Sequence, residues 1–378
     1  MRRHFMRFVR IVLIIAIQMI FAGMFSITKK QNTLDEIELM DGRIGLKQIR
    51  EWGGEKELDI NKMFYEPMDI ACDKNGNVYV LEKTKILAFD KEANFIKKLG
   101  GPGQGPGEFL GASHLDIDTN NTMAIYDSDN RRIQIISLNG DILGNIPLTM
   151  WQASPIMVTN NKEIVMYNTM LTTKISSLWQ FYNYQGKLVR ESGIRLGGKS
   201  AIENNSRYQF NIADDNSDNI YAAAVYQPII YVYSKSGEMN TEISYELPFK
   251  VPEIKTVRKP GGEFVEREMA CRGIAVDLKR RIFILCFRKI RGIEERKIGM
   301  SYMSSNKNGS NLNTGRVKPN VDSSSTDLFQ ILIFNESGKI TSSNKMDIYA
   351  DKIRIFNNHL YVIDSYVNMN IHEYIISN

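Results

Sequence analysis

Cysteine and histidine are the scarce residues of this chain, three and four among 378. Three thiols cannot form the disulfide framework of a small secreted scaffold. Beyond the N-terminal head only His114, His359 and His372 remain, too few to compose an ordinary zinc site. A G-x-S-x-G elbow is missing, and no Ser, His and Asp set stands out, so acyl transfer has no support. The densest glycine stretch places glycines at 101, 103, 105 and 107, strictly alternating, with no Gly-Lys-Ser and a strand after it. Without a helix N-terminus, the geometry that cradles phosphate is absent. Excess charge is missing from the body as well. Of 48 Lys and Arg, six (Arg2, Arg3, Arg7, Arg10, Lys29 and Lys30) lie in the first thirty residues, leaving 42 to set against 43 acidic groups. The electrostatic case for nucleic acid or an anionic surface therefore falls away.

One long hydrophobic run is present, Ile11 to Phe25, interrupted only by Gln18 and preceded by four arginines. Fifteen residues suit a signal-peptide core and fall short of the roughly twenty a spanning helix prefers. Ala22, with Ile20 two places before it, is a tolerable cleavage site, and no cysteine follows the core to carry a lipid. A cleaved signal and a retained anchor both stay open; either exports the rest of the chain, to the periplasm, the outside or the outer side of a membrane.

The body is dominated by short apolar runs. Residues 67 to 109 hold four of them, Met68 to Cys72, Val78 to Leu81, Ile86 to Phe89 and Phe95 to Leu99, each too short for a helix and bounded by Asp, Asn and Gly. Four strands in about forty residues suit one blade of a β-propeller. Gly100 to Phe109 then crosses back to the next inner strand, with Phe109 as an apolar wedge between sheets. The unit repeats. Asp73, Asp118, Thr159, Asp215 and Asp277 each stand five places before an apolar triplet, as side chains capping the tight turn between the first two strands. Trp52-Gly53-Gly54, Leu99-Gly100-Gly101 and Leu196-Gly197-Gly198 mark blade ends.

The pattern predicts an all-β, six-bladed propeller over 43–378, after a leader at 1–28 and a linker at 29–42. Its last blade takes three strands from the C-terminus and its outer strand from Arg43 to Trp52. An Asn, Ser and Gly-rich segment at about 289–326 interrupts the fifth blade and reads as an exposed, mobile excursion. Pro260-Gly261-Gly262-Glu263-Phe264 echoes the wedge before Phe109. With a turn near Lys279, Cys271 and Cys286 fall on facing strands; they read as free buried thiols, with pairing in an oxidising compartment as the other reading.

The combination Gly103-Gln104-Gly105-Pro106-Gly107-Glu108-Phe109, then Leu115 to Asp118, then Asp127-Ser128-Asp129-Asn130-Arg131-Arg132-Ile133-Gln134-Ile135, resembles the NHL-repeat propellers, in particular the exported bacterial six-bladed group. The likeness is sharp over residues 67 to 148 and only patterned elsewhere. It implies the fold and a ring face for binding, and fold alone does not carry function. The three-His lyase site of some six-bladed relatives is not expected, since His359 falls in a hairpin turn and His372 in a third strand. RNA binding, as in some cytoplasmic relatives, needs a basic face that the neutral body lacks.

Aligned inner strands put one position per blade at the channel mouth: Asp69, His114, Pro155, Asn211 and Gly273, with Lys352 or Arg354 in the sixth. Glu66, Asp69, His114, Asn211 and Arg354 are the candidate binding residues. Oxygen ligands converging from several blades are how some lactonase-like relatives hold calcium, and Glu66 with Asp69 and Asn211 could imitate that. Trp151, Trp179 and Tyr226 could serve a carbohydrate or peptide platform, core packing being the default for each. The sequence thus reads as an exported, monomeric ligand- or protein-binding module without a cofactor, for an unidentified protein, peptide or carbohydrate, with no nucleic acid and with possible attachment through residues 11–25. The rival is a lactonase- or lyase-like enzyme with calcium in the channel.

Overall fold

Alternating apolar residues flanked by turn formers become strands, and the turns show why. Asp73 Oδ1 accepts from the amides of Asn75 and Asn77 at 2.8 and 2.9 Å, Asp118 Oδ1 from Asn120 and Thr122, and Asp277 Oδ1 from Lys279 and Arg281. Each carboxylate holds the turn that reverses an inner strand into the next. The computed structural model describes residues 27–54, 57–148, 155–159, 161–169, 172–215, 219–259, 262–305, 312–317 and 319–377. The leader assigned to 1–28 lies outside them up to residue 26, as does Trp151.

Six four-stranded antiparallel units stand around an axis, each running from inner to outer strand. Their inner strands are Pro67–Cys72, Ala112–Ile117, Met157–Val158, Phe210–Asp214, Cys271–Val276 and Lys352–Phe356, for blades 1 to 6. The inner strands share one direction, so the molecule has a loop face where they begin and a turn face where they end. The sixth blade is closed by Leu46–Gly53, antiparallel to Asn370–Ile376 with Trp52 opposite Ile371. Arg50 adds an ion pair to Glu373 at 2.8 Å.

The core is divided. Six apolar clusters fill the six spaces between neighbouring blades, among them Ile133, Ile146 and Ile164 between blades 2 and 3, and Ile230, Ile284 and Phe334 between blades 4 and 5. Trp52, 3% exposed, fills the closing space, with its ring edge-on to Phe89 and Phe64 at 4.9 and 5.8 Å. Phe109 plays the matching part between blades 1 and 2. A Cβ on Gly100 would fall 2.5 Å from its ring, and one on Gly53 would fall 2.2 Å from Phe64, which is why Gly follows each strand end there.

Residues 29–42, read as a linker, are structured. Thr28–Asn32 pairs in parallel with Met239–Tyr245 as a fifth strand of blade 4, and the helix Leu34–Leu39 follows, capped by Thr33 and Glu36. Asn32 is buried and ties two blades together, donating to Ser244 O and Gly338 O and accepting from the Ile340 amide. Asp41 then bridges to Ser343 of blade 5. The pairing edge, which sequence periodicity cannot weigh in so short and lysine-rich a run, decided this. The closing strand begins at Leu46 rather than Arg43.

In the fifth blade Ile282–Phe287 pairs directly with Phe329–Phe334 across the inserted segment. The described part of that insertion is not featureless: it contains a 3-10 turn at Glu295–Lys297 and a hairpin of Ser301–Ser305 with Leu312–Arg316. Phe264 is no wedge; it is 47% exposed on the hairpin of Lys255–Lys259 with Gly262–Glu266. Cys271 and Cys286 are register partners and free, in fully buried positions. Trp179 is core, packed on Phe210 and Tyr233.

Trp52→Ala should destabilise the fold by about 3–5 kcal/mol, the usual cost of emptying a large aromatic site. Urea unfolding checks this, and an effect below about 1 kcal/mol would mean that the closing space is not a core.

Candidate functional site

The motif that carries the family resemblance holds a linker. Arg132 donates to the carbonyls of Gln104, Gly105 and Glu108 at 2.8 to 2.9 Å. Gln134 accepts from the Gly107 amide and donates to Glu108 O, while Asn130 spans Gly103 O and Asp127. These side chains satisfy backbone groups that the irregular Gly-Pro crossing cannot pair by itself.

In three of the six blades the channel position follows a distortion of the inner strand. Register shifts fall between Pro67 and Asp69, Ala112 and His114, and Cys271 and Gly273, each immediately before the residue aligned at the channel. Bulges re-aim a side chain, and here two of them turn Asp69 and His114 toward the axis, while the third precedes Gly273, which has no side chain to turn.

Asp69 is fully buried. Its Oδ2 accepts from Lys352 Nζ and Arg354 Nη2, both at 2.9 Å, and from the Leu115 amide at 3.2 Å, while Oδ1 takes the Ile70 amide at 2.9 Å. Burial pushes this carboxyl upward, yet Arg354, Lys352 and His114 outweigh it and hold it below the ordinary value. Burial pulls Lys352 down to about 8 against the attraction of Asp69, and Arg354 adds to the drop. His114 is held well below its usual range by burial and then by Lys352; its Nδ1 lies 3.0 Å from Ser113 Oγ. The sequence column therefore brings Asp69, Arg354, Lys352 and His114 together.

The Asp69 oxygens are taken up by Lys352, Arg354 and two amides rather than shared with Asn211 around an ion. The amide of Glu66, with that of Tyr65, binds Glu82 Oε1, and Asn211 Nδ2 faces Cys271 Sγ at 3.8 Å. Among the described residues no three His, Cys, Asp or Glu side chains form a metal-holding group. A divalent cation at Asp69 would have to displace two cations already on its carboxylate, so these residues do not fit a calcium ion.

Toward the turn face the channel widens into a cavity of about 370 Å³. Arg354 is the one predicted site residue that lines it. Asp116 and Asp214 face it too, among Ile117, Ile212 and Val276. Asp116 lies deep in the fold while its carboxylate looks into the cavity, accepting from the amides of Val158 at 2.7 Å and Ile117 at 3.0 Å. Burial and then the neighbouring Asp214 raise its carboxyl to about 7. Asp116 sits two residues past His114, on the same side of the strand, so the period of two held the signal. Asp214 carried none, adjoining the turn-capping Asp215.

Six sheets around such a channel define a six-bladed propeller. A family model described as a 6-bladed beta-propeller, DUF5128, matches residues 66–289, and the chain belongs to that family. Among solved structures it is similar to a DUF4221-family protein from Bacteroides vulgatus, with a TM-score of 0.55 and 10% identity over 88% of this chain and 98% of that one. A Bacteroides fragilis protein whose name describes it as exported follows at 0.51 and 9%, over 92% of this chain and 99% of that one. Virginiamycin B lyase from Staphylococcus aureus stands at 0.47 and 13%, over 88% and 99%. Such identities show the fold. No curated protein matches the chain in sequence.

Two outcomes check the electrostatics. Asp69→Ala leaves Lys352 and Arg354 side by side with no buried counter-charge and should cost about 3–5 kcal/mol in denaturant unfolding. Asp116 titrates above its unfolded value, so the stability it adds is full below about pH 4 and disappears as the pH rises through 7. Asp116→Asn, which cannot ionise, should gain on the wild type by about 2 kcal/mol between pH 5 and pH 8; parallel pH profiles would refute the assignment.

Proposed function

We propose that this propeller is an exported binding module whose ligand, a peptide, a protein terminus or a sugar, enters the channel cavity from the turn face. The cavity carries this reading: about 370 Å³, lined by apolar Ile117, Ile212 and Val276 together with charged Asp116, Asp214 and Arg354. That volume is in the range of ligand sites, and the many polar groups among its apolar ones suit a polar ligand. The neutralised Asp69 also weighs against the hydrolytic alternative, whose metal would need that carboxylate.

Export is supported by the basic head and by the name of the Bacteroides fragilis neighbour. We further read residues 11–25 as a retained anchor. Seventeen uncharged residues, Ile11 to Ile27, separate Arg10 from the first strand, the lower end of the range that spans a bilayer. Four arginines before them favour an inside N-terminus and an outside body.

Thermal shifts over a panel of peptides and oligosaccharides test the site. A binder should raise the melting temperature of the wild type by several degrees and leave Ala213→Trp, which fills the cavity, unmoved. Binding that survives the filling, or a calcium-dependent shift lost in Asp69→Asn, would favour the rival reading.

A further inference from the structure

The path of the first strand orients the molecule. Thr28–Asn32 runs parallel to Met239–Tyr245, with Thr28 opposite Thr241 and Asn32 opposite Tyr245. Met239 follows the turn in which the Gly237 amide bonds Ser234 O, and Lys235 of that turn lies 4.0 Å from Asp214 at the cavity. The outer strand of blade 4 therefore starts at the turn face, and so does Thr28. The chain arrives at the body on the face where the cavity opens.

We infer that this turn face is apposed to a membrane surface, a conclusion that rests on the anchor reading of residues 11–25. Counted at its full seventeen residues that run ends at Ile27, and the first strand begins at Thr28 with no linker between. Blade 4 would then stand nearly against the headgroups, with no slack for the ring to turn its other face inward. Six turns of this face each offer one exposed lysine, Lys74, Lys91, Lys162, Lys187, Lys279 and Lys339. Glu92 and Glu336 share two of those turns, and Asp141 and Glu238 are exposed in two other turns of the same face, so its charge is mixed. Leu278, 75% exposed at the tip of the blade 5 turn, supplies an apolar contact. The apolar tip suits a lipid surface, and the cavity mouth would open onto the gap beside it.

The test uses the full chain in vesicles of phosphatidylethanolamine and phosphatidylglycerol, in a Cys72→Ala background. An environment-sensitive fluorophore is placed at Leu278→Cys on the turn face or at Gln104→Cys on the loop face, with a quencher confined to lipid headgroups. Quenching several-fold stronger at position 278 than at 104 is expected. Equal quenching, or more at 104, in a chain that resists carbonate extraction overturns the orientation and leaves the anchor standing. A chain washed off the vesicles by carbonate overturns the anchor and the orientation with it.

Discussion

A ring of sheets buries its apolar surface only between neighbours, so the last space becomes core only when the two ends of the chain meet in one sheet. Here that meeting is the pairing of Leu46–Gly53 with Asn370–Ile376, and every other feature presupposes it. Trp52 rides on the closing strand and fills the space facing blade 1, against Phe64 and Phe89. The ion pair of Arg50 with Glu373 lies on the same ladder, where one partner is nearly dry. Contacts this far apart in sequence must overcome a large loop-closure entropy before they contribute, which is why the closure rests on an aromatic cluster rather than on hydrogen bonds alone.

Because the cores lie between blades, the axis has no need of apolar side chains. Bulges in two inner strands use that freedom to bring Asp69 and His114 beside Lys352 and Arg354. Inside a fold these charges are tolerable only together: Asp69 draws two cations and two amides. Arg354 of this group also lines the cavity that opens on the turn side. Asp116, lacking such a cation within direct reach, meets the same burial with a raised carboxyl. One strand thus carries, two residues apart, a histidine held neutral and a carboxyl poised near neutrality.

The leading segment performs two tasks at once. Its first strand extends blade 4, Asn32 stitches blade 4 to blade 5, and the helix and the Asp41 bridge lie along blade 5 before the closing strand is reached. A strap over three blades hides edges that would otherwise invite pairing with other chains, and it fixes the face from which the chain departs.

How much could be read beforehand follows from the range of each interaction. Turn-capping Asp73, Asp118 and Asp277, the Gly-Gly blade ends and the Phe109 wedge act within a dozen residues, so local pattern sufficed to reveal six blades and their order. The joint last blade was legible because one strand was missing at one end and spare at the other. The strand Thr28–Asn32 was not, since lysine-rich residues pair there only because an edge is available. Strand period put Asp69 and His114 on the side that meets Lys352 and Arg354, but it did not show the ion pairs between them. Period tells which side a residue faces; it does not tell that Lys352 and Arg354 reach across to Asp69 from nearly three hundred residues away. By itself the sequence determined the ring, through short-range turns and alternation. The tertiary structure alone decided that the charges at its centre neutralise one another and that the open space lies on the turn face, because both depend on side chains of different blades meeting near the axis.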